Sequence, residues 1–202
     1  MLKGVDLHIQ KGEIVSIVGK SGAGKSTLLH LLGLLDSWDS GNILYQGKEI
    51  TVTDRDLHLF RNRTIGFVFQ FHYLLNDFTA EENVAMPMFI ATRNYRKSLQ
   101  KARILLNNLD LGDRCLHYPN QMSGGEQQRV AVARALINDP KIVLADEPTG
   151  NLDHKHSLEL IDLLTELNKK NGHTLIIATH DLETADQLDR HLILRDGILN
   201  PS

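Results

Sequence analysis

Residues 19–26, GKSGAGKS, constrain this chain more than any other stretch. They have the form G-x-x-x-x-G-K-S. They lie between an apolar run, EIVSIV at 13–18, and a helical pattern, STLLHLLGLL at 26–35. That context calls for a buried strand ending in a glycine-rich loop that turns straight into a helix. Glycines let such a loop curl so that several N–H groups face inward, where they suit phosphate oxygens. A helix beginning near Lys25 adds the positive end of its dipole. Lys25 supplies a mobile point charge for β- and γ-phosphates. The Ser26 hydroxyl suits Mg2+, which prefers hard oxygen ligands.

A strand–loop–helix unit of this kind needs parallel neighbours. KIVLADE at 141–147 and TLIIATH at 174–180 are continuous apolar runs, the pattern of central parallel strands covered on both faces. TIGFVFQ at 64–70 reads as a further strand, and HLILRDGIL at 191–199 as a closing strand and turn. NILYQGKEITV at 42–52 reads as a hairpin turning at Gln46 and Gly47. Helical spacing relates Leu99, Ala102, Leu105, Leu106 and Leu109. It also relates Val130, Ala133, Leu136 and Ile137, and again Leu158, Ile161, Leu164 and Leu167. Strand–helix alternation predicts an α/β fold with a mainly parallel core sheet and an antiparallel β-hairpin region. Residues 78–118 are the helical stretch least tied to the strand pattern. They are expected to form an α-helical subdomain inserted into one catalytic core made of 1–77 and 119–202.

Several side chains stand where such a sheet exposes its chemistry. The run IVLADE brings Asp146 and Glu147 to the end of a strand, where α/β sheets bind ligands. Asp146 suits Mg2+ and Glu147 suits a base or water-positioning group for attack on a γ-phosphate. Gln70 ends another strand, and its amide suits Mg2+ or the attacking water. His180 follows LIIAT and suits contact with a γ-phosphate. In MSGGE, Ser123 can cap a helix and donate to phosphate, while Gly124 and Gly125 open that helix. Taken alone, Gln70 and His180 are better explained by structural hydrogen bonds. His154 and His156 are two positions apart, share no helix face, and are not read as a metal pair.

Composition narrows the partners. A net charge of −3 gives no general attraction to nucleic acid or anionic lipid. The single cysteine, Cys115, allows no internal disulfide. The longest nearly pure apolar stretch, 28–35, is far short of a membrane span. No direct membrane insertion is expected, so any link to a membrane runs through a partner.

The order GKSGAGKS, Gln70, MSGGE, LADEP, GNLD, His180 resembles the nucleotide-binding subunit of ABC transporters over nearly the whole chain. The resemblance implies the phosphate-loop fold of that family, ATP and Mg2+ as ligands, and ATP hydrolysis. It assigns nucleotide binding to Gly19, Lys20, Ser21, Gly22, Ala23, Gly24, Lys25, Ser26 and Thr27. It assigns the signature to Ser123, Gly124, Gly125 and Glu126, and a seam position to Asp153. Glu147, His180 and Gln70 become the catalytic set, and Ser26, Gln70 and Asp146 the Mg2+ set. Two copies are then expected head to tail, each signature facing the ATP of the other. Glu126 stands where many members carry Gln, and Met122 where many carry Leu. A carboxylate near phosphates is unfavourable, so Glu126 is expected to point away from them. The family's adenine-stacking aromatic is expected upstream of Met1, or else adenine is held more weakly; no residue here is assigned to it.

FVFQFHYLLNDFTAEENVAMP at 67–87, with GLLD at 33–36 and ADEPTGNLD, is similar to the lipoprotein-releasing type within that family, and close to its macrolide-export and cell-division types. Integral membrane subunits docking on the helical subdomain are implied as partners. So is a peripheral location on the cytoplasmic face of a bacterial inner membrane. Phe71, Leu74, Leu75, Phe78, Met86 and Met88 are either the docking groove or subdomain core. DNA-repair and chromosome-organising ATPases share these motifs, but the stretch from Ser26 to Ser123 has no sustained heptads. A regulatory scaffold that binds ATP only to signal remains a second class.

Overall fold

The computed structural model describes residues 2–51 and 56–201. Val52, the last residue of the expected hairpin stretch, lies outside them. The elements are β1 Ile14–Val18, α1 Lys25–Leu32, β2 Ile43–Tyr45, β3 Lys48–Ile50, α2 Leu57–Thr64 and β4 Ile65–Phe69. These are followed by α3 Ala80–Thr92, α4 Tyr95–Asn108, α5 Gly124–Leu136, β5 Ile142–Asp146 and α6 His154–Asn171. The chain then forms β6 Thr174–Thr179, α7 Leu182–Asp186, β7 Arg190–Arg195 and β8 Ile198–Pro201.

Six strands form one sheet in the order β4-β5-β6-β1-β7-β8. Its first five strands run parallel, and β8 returns antiparallel on β7. The central strands β1 and β6 are buried on both faces, which is why they read as apolar runs without alternation. Ile14, Val68, Val143, Ala145, Leu175 and Ile177 face a core built with α3, α4, α5 and α6. Ile17, Ile65, Leu144, Ile176, Ala178 and Leu194 face a second core containing Leu28 and Leu29 of α1. β2 and β3 form the separate hairpin, with Gln46 and Gly47 at φ 53° and 76°. Positive φ at both central residues matches the right-handed twist of the flanking strands.

The helix after β1 is shorter than the sequence suggests. It was expected to run to Leu35 but ends at Leu32. The Gly33 N–H donates to Leu29 O at 2.7 Å, the Leu35 N–H donates to His30 O at 2.8 Å, and Leu34 takes φ 57°. This turn drops Leu34 into the core at 4% exposure. Core burial of Leu34 outweighs continuing the helix.

Residues 78–118 hold α3 and α4, packed on each other and both on α5. Thr79 opens α3 with a reciprocal capping box to Glu82. The Arg103 guanidinium donates through Nε and an Nη to the two oxygens of buried Glu81, at 2.5 and 2.8 Å, pinning α4 to α3. The apolar residues considered for docking divide. Leu74 and Met88 join the core, while Phe71 and Leu75 stand 60% and 47% exposed. Among the described residues, no helix is long and apolar enough to cross a membrane.

Candidate functional site

Four neighbouring parallel strands, β4, β5, β6 and β1, end on the same edge of the sheet. Phe69 pairs with Asp146, Asp146 with Ala178, and Val18 with Thr179. Each strand therefore delivers its next residues to one place: Gln70, Glu147, His180 and Gly19. This is the carboxyl edge, where open α/β sheets receive ligands.

The loop after β1 is shaped by its glycines. Gly24 takes φ 103°, a left-handed conformation costly for other residues, and stands at the N-cap of α1 with no side-chain cap on that helix. The first-turn N–H groups of α1 are thus presented to whatever sits in the loop. Lys20, Ser21 and Gly22 are exposed, Ala23 and Gly24 half-buried, and Ser26 and Thr27 exposed. Lys25 turns inward at 7% exposure, donating from Nζ to Gly19 O at 2.8 Å.

Lys25 also meets the end of β5. Its Nζ lies 3.2 Å from Glu147 Oε1, and Glu147 Oε2 lies 2.8 Å from His180 Nδ1. The His180 backbone N–H donates to the same oxygen at 3.3 Å. Glu147 holds φ 45°, a left-handed conformation uncommon for a residue with a side chain. The Glu147 N–H donates to Ala178 O at 2.9 Å, which fixes that turn against β6. Strained backbone persists only where the surroundings over-determine it. The three side chains form one contiguous line at the ends of β1, β5 and β6. Sequence spacing gives no sign of the Lys25–Glu147 contact.

Asp146 is half-buried, and its carboxyl lies beside the Ser26 side chain. Its Oδ1 has no partner although it is buried. Desolvation pushes the carboxyl above the usual aspartate range, and the neighbouring Glu147 charge adds to this. An orphaned hard oxygen beside a serine hydroxyl suits a divalent cation with oxygen ligands, so the residues present fit Mg2+.

Gln70 is set differently. Its backbone O accepts from Asn151 Nδ2 at 2.9 Å. Its side-chain amide packs on Gly150, where an added Cβ would come within 2.7 Å of Nε2. The amide thus touches the segment after β5, and no described hydrogen bond joins it to Asp146 or Ser26. α5 controls the same loop from behind. Arg134 donates to His72 O at 2.7 Å and to Tyr73 O at 2.6 Å. Buried Gln128 donates from Nε2 to Pro148 O at 2.8 Å. Sequence reading singled out neither residue. For Gln128 the available signal was a polar residue on a helix face otherwise packed by Val130 and Ala133; Arg134 had none.

The Ser-Gly-Gly segment opens α5. Ser123 caps it reciprocally with Glu126, and Gly124 and Gly125 form its first turn. Among the described residues, no hydrogen bond or ion pair joins Ser123, Gly124, Gly125 or Glu126 to residues 19–27. Asp153 caps α6. Its Oδ1 accepts the His156 N–H at 3.0 Å and its Oδ2 lies 2.7 Å from His156 Nδ1, which lowers its pKa.

Comparison with known proteins fits this geometry. The family model described as ABC transporter matches residues 2–150. A lipoprotein-releasing system ATP-binding protein, LolD, from Cytophaga hutchinsonii is 54% identical over 98% of this chain and 91% of its own length. One from Syntrophus aciditrophicus is 50% identical over 98% of this chain and 89% of its own. An ATP-binding cassette solved as a dimer in a post-hydrolysis state with ADP and Pi superposes with a TM-score of 0.88 and 41% identity. That match covers 98% of this chain and 88% of the other. A sheet edge that gathers Lys25, Asp146, Glu147 and His180, in a chain matched by this family over most of its length, identifies the protein as a member of the ABC transporter family, an ATPase whose hydrolysis is coupled to transport.

Proposed function

We propose that two copies of this chain pack head to tail around two ATP molecules with Mg2+, and drive integral membrane subunits that release lipoproteins from the membrane. The observation that carries this reading is the meeting of Lys25, Glu147 and His180 at 3.2 and 2.8 Å, while the first turn of α5, capped by Ser123, shares no described hydrogen bond or ion pair with residues 19–27. A nucleotide on the loop 19–27 would meet a second ring of donors only from another copy. Two-fold symmetry then makes two such sites. The dimeric cassette bound to ADP and Pi supports the same arrangement.

In this reading Lys25 leaves Glu147 and holds the β- and γ-phosphates. Glu147, released, takes the proton of the attacking water, and His180 holds Glu147 and the γ-phosphate in line. Ser123 with the Gly124 and Gly125 N–H groups closes the far side of the γ-phosphate. Ser26, Asp146 and Gln70 would hold Mg2+, which neutralises charge developing on the phosphate oxygens. Asp153 stands at the seam between copies. The membrane subunits dock beside α3, where Phe71 and Leu75 offer exposed apolar surface. The protein is then peripheral, on the cytoplasmic face of a bacterial inner membrane. The names of the relatives, lipoprotein-releasing system ATP-binding proteins, support the lipoprotein cargo.

The test is reconstitution of the chain with the membrane proteins that co-purify with it, in vesicles carrying an acylated lipoprotein. ATP is expected to release the lipoprotein to a soluble acceptor. Vesicles in which a macrolide, and not the lipoprotein, stimulates hydrolysis would contradict the cargo assignment.

A further inference from the structure

Arg114 is a charge that the reaction leaves unassigned. It ends the short turn Gly112–Arg114 ahead of α5, and its Nε donates to Glu126 Oε1 at 2.7 Å. The other carboxylate oxygen, Oε2, accepts the Ser123 N–H at 2.7 Å and the Ser123 hydroxyl at 2.9 Å. The Glu126 N–H completes the box by donating to Ser123 Oγ at 3.3 Å. Arg114, Glu126 and Ser123 therefore form one chain of charge-assisted hydrogen bonds running to the first turn of α5.

Arg114, with the Ser123 N–H after it, holds the Glu126 carboxyl well below the usual range, at about 2. Glu126 is thus a full negative charge at the end of α5 that is proposed to face a triphosphate. The helix dipole offers only about half a charge against it. The side chains of the pair are 43% and 27% exposed, and exposed pairs add little to folding stability. A contribution to folding does not account for the pair, whereas the cost of a bare carboxylate beside a polyanion does.

We propose that Arg114 is a positioning residue for the phosphate-facing end of α5: it cancels the Glu126 charge that would repel the nucleotide of the second copy, and it locks the box that orients Ser123. This rests on the composite site proposed above. The Ser123 hydroxyl has one proton, and Glu126 holds it. Arg114 draws electron density from that carboxylate, which makes the proton easier to turn toward a phosphate oxygen.

The test measures the ATP concentration for half-maximal dimer formation, by light scattering, in a Glu147→Gln parent that does not consume ATP. Arg114→Met is expected to raise it about tenfold, the scale of one uncompensated charge near another at a protein surface. The shift should shrink at high salt. Adding Glu126→Gln should bring the value to within about twofold of Glu126→Gln alone, because no charge then needs cancelling. Arg114→Lys, which keeps the charge, should stay close to the parent and serves if Arg114→Met folds poorly. The affinity of a single copy for a fluorescent ADP analogue should not move in any of them. Equal defects with and without Glu126→Gln, or no defect in Arg114→Met while the parent dimerises normally, would overturn the proposal. A parent that never dimerises with ATP would remove the composite site itself, and this proposal with it.

Discussion

Glu147→Gln is expected to bind ATP at least as tightly as the wild type and to lose at least about a thousandfold in turnover, within the range for removal of a general base. The amide has the shape of the carboxylate and can still meet His180 Nδ1, which lies 2.8 Å from the native oxygen. It cannot take a proton from water. The variant also frees Lys25, whose ammonium sits 3.2 Å from Glu147 Oε1 and must leave that partner to reach phosphate. Loss of the competing carboxylate favours the nucleotide, so a dimer with trapped ATP should accumulate. Phosphate release and light scattering read the two effects separately. Turnover at the wild-type rate would remove Glu147 from the chemistry.

Ser123→Arg is expected to lower hydrolysis by at least about a hundredfold, the scale for loss of a preorganised donor set. Single-copy ATP affinity should be nearly unchanged. The reason is placement: Ser123 opens α5 and shares no described hydrogen bond with the loop that holds Lys25. Loss of the cap costs about 1 kcal/mol, too little to unfold the domain. The bulk and charge of the new side chain fill the space where the partner's γ-phosphate is to enter. Equilibrium binding of a fluorescent nucleotide checks the affinity, and phosphate release checks the rate. A collapse in affinity would mean that Ser123 serves the nucleotide of its own copy.

Much of the framework was legible because parallel strands declare themselves. β1, β5 and β6 are buried on both faces, so their sequences are apolar without alternation, and their neighbours in sequence are helices. The hairpin was marked by Gln46 and Gly47, whose positive φ values match the turn expected of them. α2 was not read, because LHLFRNRT buries no residue fully and lacks a side-chain cap. α7 has only five residues, too few to show a helical period. α1 was read too long because apolar periodicity continues past Gly33, and only the backbone turn at Leu34 shows where it stops.

The candidate site divides in the same way. Lys25 was legible from the glycine-rich loop motif, and Asp146, Glu147 and His180 because they end or follow a strand, and parallel strands place their ends together. Pairings between strands were not. Nothing in the spacing of Lys25 and Glu147 says that they touch, and Arg114 carried no motif to mark it as the partner of Glu126. The grip of Arg134 on His72 and Tyr73 was equally silent, since it joins a helix face to loop carbonyls that any residues can supply.

The central claim is that each site takes half its groups from each copy, and phosphate release from an equimolar mixture of two inactive variants tests it most directly. Lys25→Ala removes the ammonium that holds phosphate, and Ser123→Arg blocks the opposing end of α5. Each variant alone has two defective sites per pair. In a mixed pair, one site joins the intact Lys25 of one copy to the intact Ser123 of the other. The mixture is predicted to recover about a quarter of wild-type hydrolysis, since half of random pairs are mixed and each has one of two sites intact. A mixture as silent as its components, with mixed pairs shown to form by affinity capture of a tagged copy, would contradict the claim.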